Sequence, residues 1–432
     1  MSITNQLPPE VLGYIFLVGY RAEQKERRNI RSCAHDDPDF RHLVTWVCRA
    51  WRFVAFRTPE LWTDISINDC RSWGNYCSLY YVFLAYRNQP TDIYVDLTSR
   101  FIRELSLKLG VTWSQTTMHI VDYLFENKHP RQWRALNIRI GGEDMVPRNF
   151  MEGLARFQFL KLESFTLIGY RRGDLSLENK LDQVPIRPLT SKSSRLTSVH
   201  LRHFSLGYLN AQFDASFFSN LTCLELGLLD AHPSLIELET ILKRNPGLRI
   251  FRLALGDLGA SVSKSLKSRT EQCILPLLQE LSIRNCRQSD WAESFLSNMS
   301  APGVTKLRIV VHKSQVGSWE SFAKGVAMDR SGRPMFPRLT HLVANLSTRE
   351  LEIVLRAYSG LVRLDIFKPT YDNNELLTLL TRSPFLVPYL RSLWVDGRGD
   401  LNVEGLTEVR RAAGMVVPAV KTTRIDYAAY FS

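Results

Sequence analysis

At 432 residues the chain is too long for one common domain and allows two or three domains or a single extended repeat array. Its 45% hydrophobic and 23% charged residues exclude a disordered polymer and require a buried core. The net charge of +12 favours acidic partners in general without singling out nucleic acid.

The seven Cys include no CxxC pair and show no regular spacing. This argues against a disulfide framework and a thiolate zinc site, predicts a reducing compartment, and reads every Cys as a small core residue. The most apolar stretch, Val11 to Tyr20, is half a membrane span and follows Pro8, Pro9 and Glu10 instead of a basic segment. A protein neither secreted nor membrane-anchored, cytoplasmic or nuclear, is expected. The sequons at Asn220, Asn298 and Asn345 then read as chance matches.

In chain order, LPPEVLGYIF (Leu7 to Phe16) reads as a short helix started by Pro8 and Pro9, with Val11, Leu12, Ile15 and Phe16 on one face. A charged stretch from Ala22 to Phe40 follows, in which Asp37 and Pro38 mark the next helix start. Val44, Val47, Cys48, Trp51, Val54 and Ala55 recur at helical spacing, so one helix is expected there, with Arg49 and Arg52 facing away. Thr58-Pro59-Glu60 predicts a short turn, LWTDISIN a strand, and Trp73 to Leu84 a third helix.

LPPEVLGYIF followed by VTWVCRAWRFVAFRTPELWTDI resembles the F-box-like motif of fungal F-box proteins, over roughly Leu7 to Ile65. The resemblance implies a helical module that binds the Skp-type adaptor of a cullin-based ubiquitin ligase. The adaptor-binding residues it implies are Leu7, Pro8, Val11, Leu12, Ile15, Phe16, Val47 and Trp51.

Beyond this module an apolar-x-x-apolar-x-apolar pattern recurs ten times, at Trp133, Leu162, Leu196, Leu221, Leu248, Leu278, Val304, Leu339, Leu361 and Leu390. The mean period of about 29 residues lies in the leucine-rich-repeat range, and helices ending at Pro130, Pro246 and Pro384 alternate with the predicted strands. The repeats resemble those attached to F-box proteins. An α/β fold is expected, a helical F-box-like module followed by a horseshoe-shaped leucine-rich-repeat solenoid with irregular repeats of about 28 residues. Residues 1–65 form the module, 66–132 a linking helix and first strands, and 133–432 the solenoid, with a polar loop at 171–194. The position that would carry a ladder Asn or Cys matches only at Cys286, which predicts irregular turns.

The sequence has no Gly-rich phosphate loop, no GxSxG and no HExxH, so no catalytic residue, cofactor site or metal site is assigned, and ligase chemistry is expected from other subunits. His200 and His203 read as structural. Strand alternation aims the third, fifth and seventh residues of each repeat away from the core. These positions carry Arg139, Arg202, Arg252, Arg284, Lys306, Arg308 and Arg363 against Glu225, Glu280, Asp365 and Asp396, with His200 and His341 nearby. Arg252, Arg284 and Arg308 are read as one row, and Phe367 and Trp394 as exposed aromatics. The target-binding candidates are therefore Arg202, Arg252, Arg284, Lys306, Arg308, Arg363, Phe367 and Trp394.

The favoured expectation is a non-enzymatic substrate-recognition subunit of an SCF-type ubiquitin ligase, partnered by a Skp-type adaptor and cullin and selecting an acidic or phosphorylated protein. No membrane partner is expected and nucleic acid is disfavoured. The alternative is a basic leucine-rich scaffold that binds RNA or another polyanion without a ligase role.

Overall fold

The structure is a computed structural model that describes residues 7–29, 40–67, 89–97, 132–141, 159–170, 195–204, 217–229, 233–256, 272–312, 319–329, 331–367, 373–382, 386–396 and 403–422, with single positions 107, 110, 206 and 209. The expected helices at 73–84 and 121–130, the Asp37-Pro38 cap and the polar loop at 171–194 lie outside the described residues. The fold is mixed α/β and divides into two compact units, residues 1–197 with 211–217, and residues 198–210 with 218–432. No described helix is long and apolar enough to cross a membrane.

The first unit opens with α1 (Pro9–Asn29), α2 (Phe40–Val47) and α3 (Arg49–Phe56), followed by a single 3-10 turn (Pro59–Trp62). α1 is twice the expected length, because the charged residues after Tyr20 continue it. The helix expected around Val44 to Ala55 is broken at Cys48, whose extended backbone lets its Sγ accept from Trp51 N at 3.5 Å. The break turns Val47 outward. Leu12, Phe16, Tyr20, Val44, Val54, Leu61 and Trp62 are buried together. Phe16 packs on Trp51 with ring centroids 5.0 Å apart, and the buried Arg41 lies 5.0 Å over the Tyr20 ring while donating to Asp64 O at 2.6 Å.

Four parallel strands follow in this unit, β1 (Asp64–Ile67), β2 (Thr91–Leu97), β3 (Trp133–Gly141) and β4 (Ser164–Tyr170), each paired with its neighbour in chain order. The strand expected within LWTDISIN is β1, and β2 is one of the first strands expected within residues 66–132.

The second unit repeats strand and helix. Its sheet runs β5 (Ser198–Phe204), β6 (Cys223–Leu228), β7 (Ile250–Ala254), β9 (Glu280–Cys286), β11 (Lys306–Val311), β12 (His341–Ala344), β13 (Arg363–Ile366), β14 (Ser392–Val395) and β15 (Ala419–Thr422), again parallel and in chain order. Two short strands, β8 (Cys273–Ile274) and β10 (Met299–Ser300), pair separately. Between strands stand α4 (Leu235–Lys243), α5 (Ser289–Ser297), α6 (Glu320–Ala327), α7 (Thr348–Ala357), α8 (Asn373–Arg382) and α9 (Val403–Ala412).

All three apolar positions are buried in all ten copies of the sequence pattern, because alternation sends the fourth and sixth residues to one face of each strand. Helices cover that face; Phe295 of α5 lies 6.2 Å from Phe251 of β7. Neither layer buries its apolar surface alone, so the repeats are mutually dependent.

Two buried Asn side chains close backbone gaps between repeats, which the ladder position in the sequence did not reveal. Asn245 accepts from Leu221 N at 2.7 Å and donates to Phe218 O and Ile241 O at 2.6 and 2.7 Å. Asn345 makes the same two-way contact with the backbone of Val311. Ser347 and Glu350 form a capping box on α7, and Glu350 also accepts from Trp319 N at 2.9 Å. Gly256 is required by space, since a Cβ there would lie 2.2 Å from Leu229 O.

Asn245→Ala would orphan a buried N–H and two buried carbonyls, and is expected to destabilise the chain by about 3 kcal/mol. Urea denaturation of the full chain checks this; a change below about 1 kcal/mol would show that water replaces the amide without penalty.

Candidate functional site

Two surfaces stand out, one in each unit. On the N-terminal helices the sequence placed Val11, Leu12, Ile15 and Phe16 on one face, but burial divides them. Leu12 and Phe16 lie in the module's own core, 4% and 1% exposed, while Val11 and Ile15 are both 44% exposed. Leu12 and Phe16 are thus corrected from contact residues to core residues, because α2 and α3 pack on their side of α1. Leu7 and Pro8 are exposed at its start, Trp51 is half-buried against Phe16, and Val47 is exposed. Tyr14 and Val18 extend the exposed stripe on α1, and Leu43 and Trp46 stand exposed on α2, Trp46 to 65%. These four, and Phe53 on α3, were not singled out from sequence. Reading α1 as a full-length helix, with core on i and i+4 from Leu12, reveals the stripe.

The second surface is the face of β5 to β14 opposite the helices. Its side chains form rows across the strands. One row runs His200, Glu225, Arg252, Ser282, Arg308, Val343, Asp365, Trp394 and Lys421, each in register with the next. Arg284 is not in it. It lies two residues further along, beside Ala254 and Val310, so the expected single row of Arg252, Arg284 and Arg308 is corrected to two Arg flanking Ser282 with the third behind.

Ser282 itself is 1% exposed, not solvated as its position in the pattern predicts, and its Oγ is buried without a hydrogen bond. It stands in register between Arg252 and Arg308 on the two neighbouring strands.

Carboxylates sit between these cations. Glu225 is 2% exposed, accepts from Arg202 Nε at 2.8 Å, and lies 3.4 Å from Arg252 Nη1 and 3.6 Å from Arg284 Nη2. Glu280 accepts from Arg252 Nε at 2.9 Å and Lys306 Nζ at 3.1 Å. Burial alone would raise Glu225, but the hydrogen bond from His200 and the charge of Arg202 hold its carboxyl down at about 2. Burial pulls the Arg284 guanidinium down to about 10, with Arg202, Arg308 and Arg252 adding repulsion against the pull of Glu225.

Further along, the fully buried Asp365 accepts from Arg363 Nε at 2.9 Å and His341 Nε2 at 3.0 Å, so Arg363 is tied to its own strand. Phe367 is 2% exposed and packs with Val310 and the half-buried Trp394. The expectation of two exposed aromatics is corrected. They cover one another because Val310 provides an apolar neighbour on the same face.

The sequence reading also missed a cluster on β5 and β6. His200 Nδ1 lies 3.4 Å from Glu225 Oε2, and its Nε2 faces Ser198 Oγ at 2.9 Å and Cys223 Sγ at 3.9 Å. The signal was present: LTSVHL and LTCLEL align so that Ser198 meets Cys223 and His200 meets Glu225. Reading every Cys as core concealed it, for Cys223 is only partly buried. The Cys223 sulfur and then the Glu225 carboxylate raise His200 to about 9, against the opposing effect of burial.

Among the described residues no group of His, Cys, Asp and Glu is arranged to hold a metal ion. No family model and no curated protein matches the sequence. Among solved structures, a protein from Bacteroides fragilis, a structural-genomics target, matches at a TM-score of 0.37 and 12% identity, covering 73% of this chain and 84% of that one. That likeness is too loose to assign a fold or an activity.

Glu225 is depressed, so its contribution to stability is full above the ordinary carboxylate range and is lost as pH falls towards about 2. His200 is raised, so its contribution is full below the ordinary imidazole value and is lost as pH rises through about 9. Stability is expected to peak between about pH 5 and pH 6.5. Glu225→Gln should cost about 3 kcal/mol near neutrality by leaving the surrounding guanidinium groups mutually repulsive. Denaturant unfolding across pH tests both; an unchanged acid limb in the variant would remove Glu225 as the hub.

Proposed function

We infer that the chain is a non-enzymatic recognition subunit of an SCF-type ubiquitin ligase, cytoplasmic or nuclear, in which an F-box-like helical module docks on a Skp-type adaptor and a leucine-rich-repeat solenoid selects a protein target. The observation that carries this reading is the apolar surface of the helical module. A unit that already buries Leu12, Phe16, Val44 and Trp62 still exposes Val11, Tyr14, Ile15 and Val18 along one helix and Trp46 and Val47 on the next. A contiguous apolar stripe of this kind is characteristic of a docking surface. The resemblance of LPPEVLGYIF and VCRAWRFVAFRTPELW to the F-box-like motif supplies the partner class.

Parallel strands in chain order, with a helix between most successive strands of the second unit, are the way leucine-rich repeats stack, which supports the solenoid reading. The strand face favours a shaped protein target over a general polyanion. Arg202 and Arg252 share Glu225, Lys306 is held by Glu280, and Arg363 by Asp365, so these cations are placed by carboxylates and not simply massed. A carboxylate or phosphate of the target would be gripped by Arg252 and Arg308, which flank Ser282, with the buried Arg284 behind them.

Val11→Asp with Ile15→Asp should abolish co-purification with the adaptor at moderate salt, each anchor contributing about 2 kcal/mol, while leaving the unfolding midpoint unchanged because both positions are exposed. Retention of the complex by the double variant would remove this face of α1 as the docking surface. On the other surface, Arg252→Glu with Arg308→Glu should abolish capture of an acidic target and spare adaptor binding. Recovery of the same partners by that variant would move the recognition surface elsewhere.

A further inference from the structure

We propose that Cys223 is a nucleophilic thiol, activated by His200 and oriented through Glu225, and that it is a site of covalent modification by soft electrophiles. The proposal is independent of the ligase reading. It rests on an acid, imidazole and thiol arranged in sequence across two strands. Glu225 Oε2 lies 3.4 Å from His200 Nδ1, and His200 Nε2 lies 3.9 Å from Cys223 Sγ. Strand register fixes the arrangement, since His200 is paired with Glu225 and Ser198 with Cys223.

Glu225 cannot turn away, because Arg202, Arg252 and Arg284 hold it from three strands. His200 is therefore held in place by an anchored carboxylate. Its Nε2–H is shared by the Ser198 hydroxyl and the Cys223 sulfur, both partly exposed. An imidazole N–H held beside a sulfur is the pairing that serves sulfur nucleophiles.

The neighbouring serine gives a competing reading, a hydrolase triad of Ser198, His200 and Glu225. Serine chemistry needs a neutral imidazole to take the hydroxyl proton. With Cys223 and Glu225 raising His200 to about 9, the ring already carries that proton at neutral pH. The same protonated ring assists a sulfur nucleophile, so the chemistry falls to Cys223.

Two other cysteines act as internal references. Cys273 and Cys286 are 1% and 0% exposed, and burial pushes their thiols up to about 11 and about 12. Cys48 caps α3 through its sulfur. Of the four described cysteines, only Cys223 has an imidazole nitrogen within 4 Å of its sulfur.

The test uses limiting iodoacetamide on the full chain, with the rate at each cysteine read by peptide mass spectrometry. In this step sulfur forms a bond to the methylene carbon as the carbon–iodine bond breaks and iodide leaves, while the thiol proton is lost to solvent and His200 keeps its own. Relative to the chain unfolded in urea, folding should speed alkylation of Cys223 by about tenfold and slow it at Cys273 and Cys286. His200→Gln should abolish the acceleration, and Ser198→Ala should keep or increase it by removing the competing acceptor. The proposal is overturned if folding slows Cys223 in the wild-type chain, a result that needs no variant to fold, or if His200→Gln reacts at the wild-type rate.

Discussion

Parallel pairing in chain order places the same position of each repeat beside its counterpart in the next, at about 4.8 Å spacing. Whatever chemistry a position carries is thereby multiplied into a row. For the fourth and sixth positions the consequence is favourable, because Leu224, Phe251, Leu281, Leu307, Leu342, Leu364 and Leu393 line up as one continuous buried ridge under the helices. Backbone groups left at the joints are closed by side chains such as Asn245 and Asn345, which serve two repeats at once.

For the opposite face the same multiplication is costly. Guanidinium groups repeated across adjacent strands repel at close range, and removing them from water adds to the cost. Interposed carboxylates relieve this. Glu225 stands between His200 and Arg252 in one row, and Glu280 is next to Lys306 in the neighbouring row, so Arg252 bridges two acids. Behind Ser282, burial first and then repulsion from Arg202, Arg308 and Arg252 lower the proton affinity of Arg284, against the pull of Glu225. The Cys223 cluster has the same origin, since the carboxylate that neutralises three Arg also holds His200 beside the sulfur.

The core was legible from spacing alone, because three apolar residues in every copy obey a period-two alternation that survives irregular loop lengths. The faces were less legible. Alternation correctly sent Arg252, Glu225 and Ser282 away from the helices, but it could not say that the small Ser282, between two long Arg, would be buried, or that Phe367 would find Val310 and Trp394. In the N-terminal module, apolar periodicity found α1 and its Leu12 and Phe16, but did not separate core from surface, because Val11 and Ile15 differ from them by only one residue each. The helix break at Cys48 was hidden because VCRAW keeps apolar spacing through it; the backbone changes direction while the pattern does not.

The two surfaces therefore differ in the physics they bring to a partner. The stripe from Val11 to Val18 contains no charged side chain among its exposed apolar residues, so association there would rest on apolar burial and change little with added salt. The strand face is an ion-pair network with Arg252 and Lys306 about one-third exposed and Glu225 buried beneath. A ligand there would have to compete with Glu225 and Glu280 for the same guanidinium groups, which makes binding dependent on geometry as well as on charge. Ionic strength would weaken the exposed half of that competition first, because buried pairs are screened far less than exposed ones. A partner recruited through the helices and one recruited through the strands would consequently be lost at different salt concentrations, the second before the first.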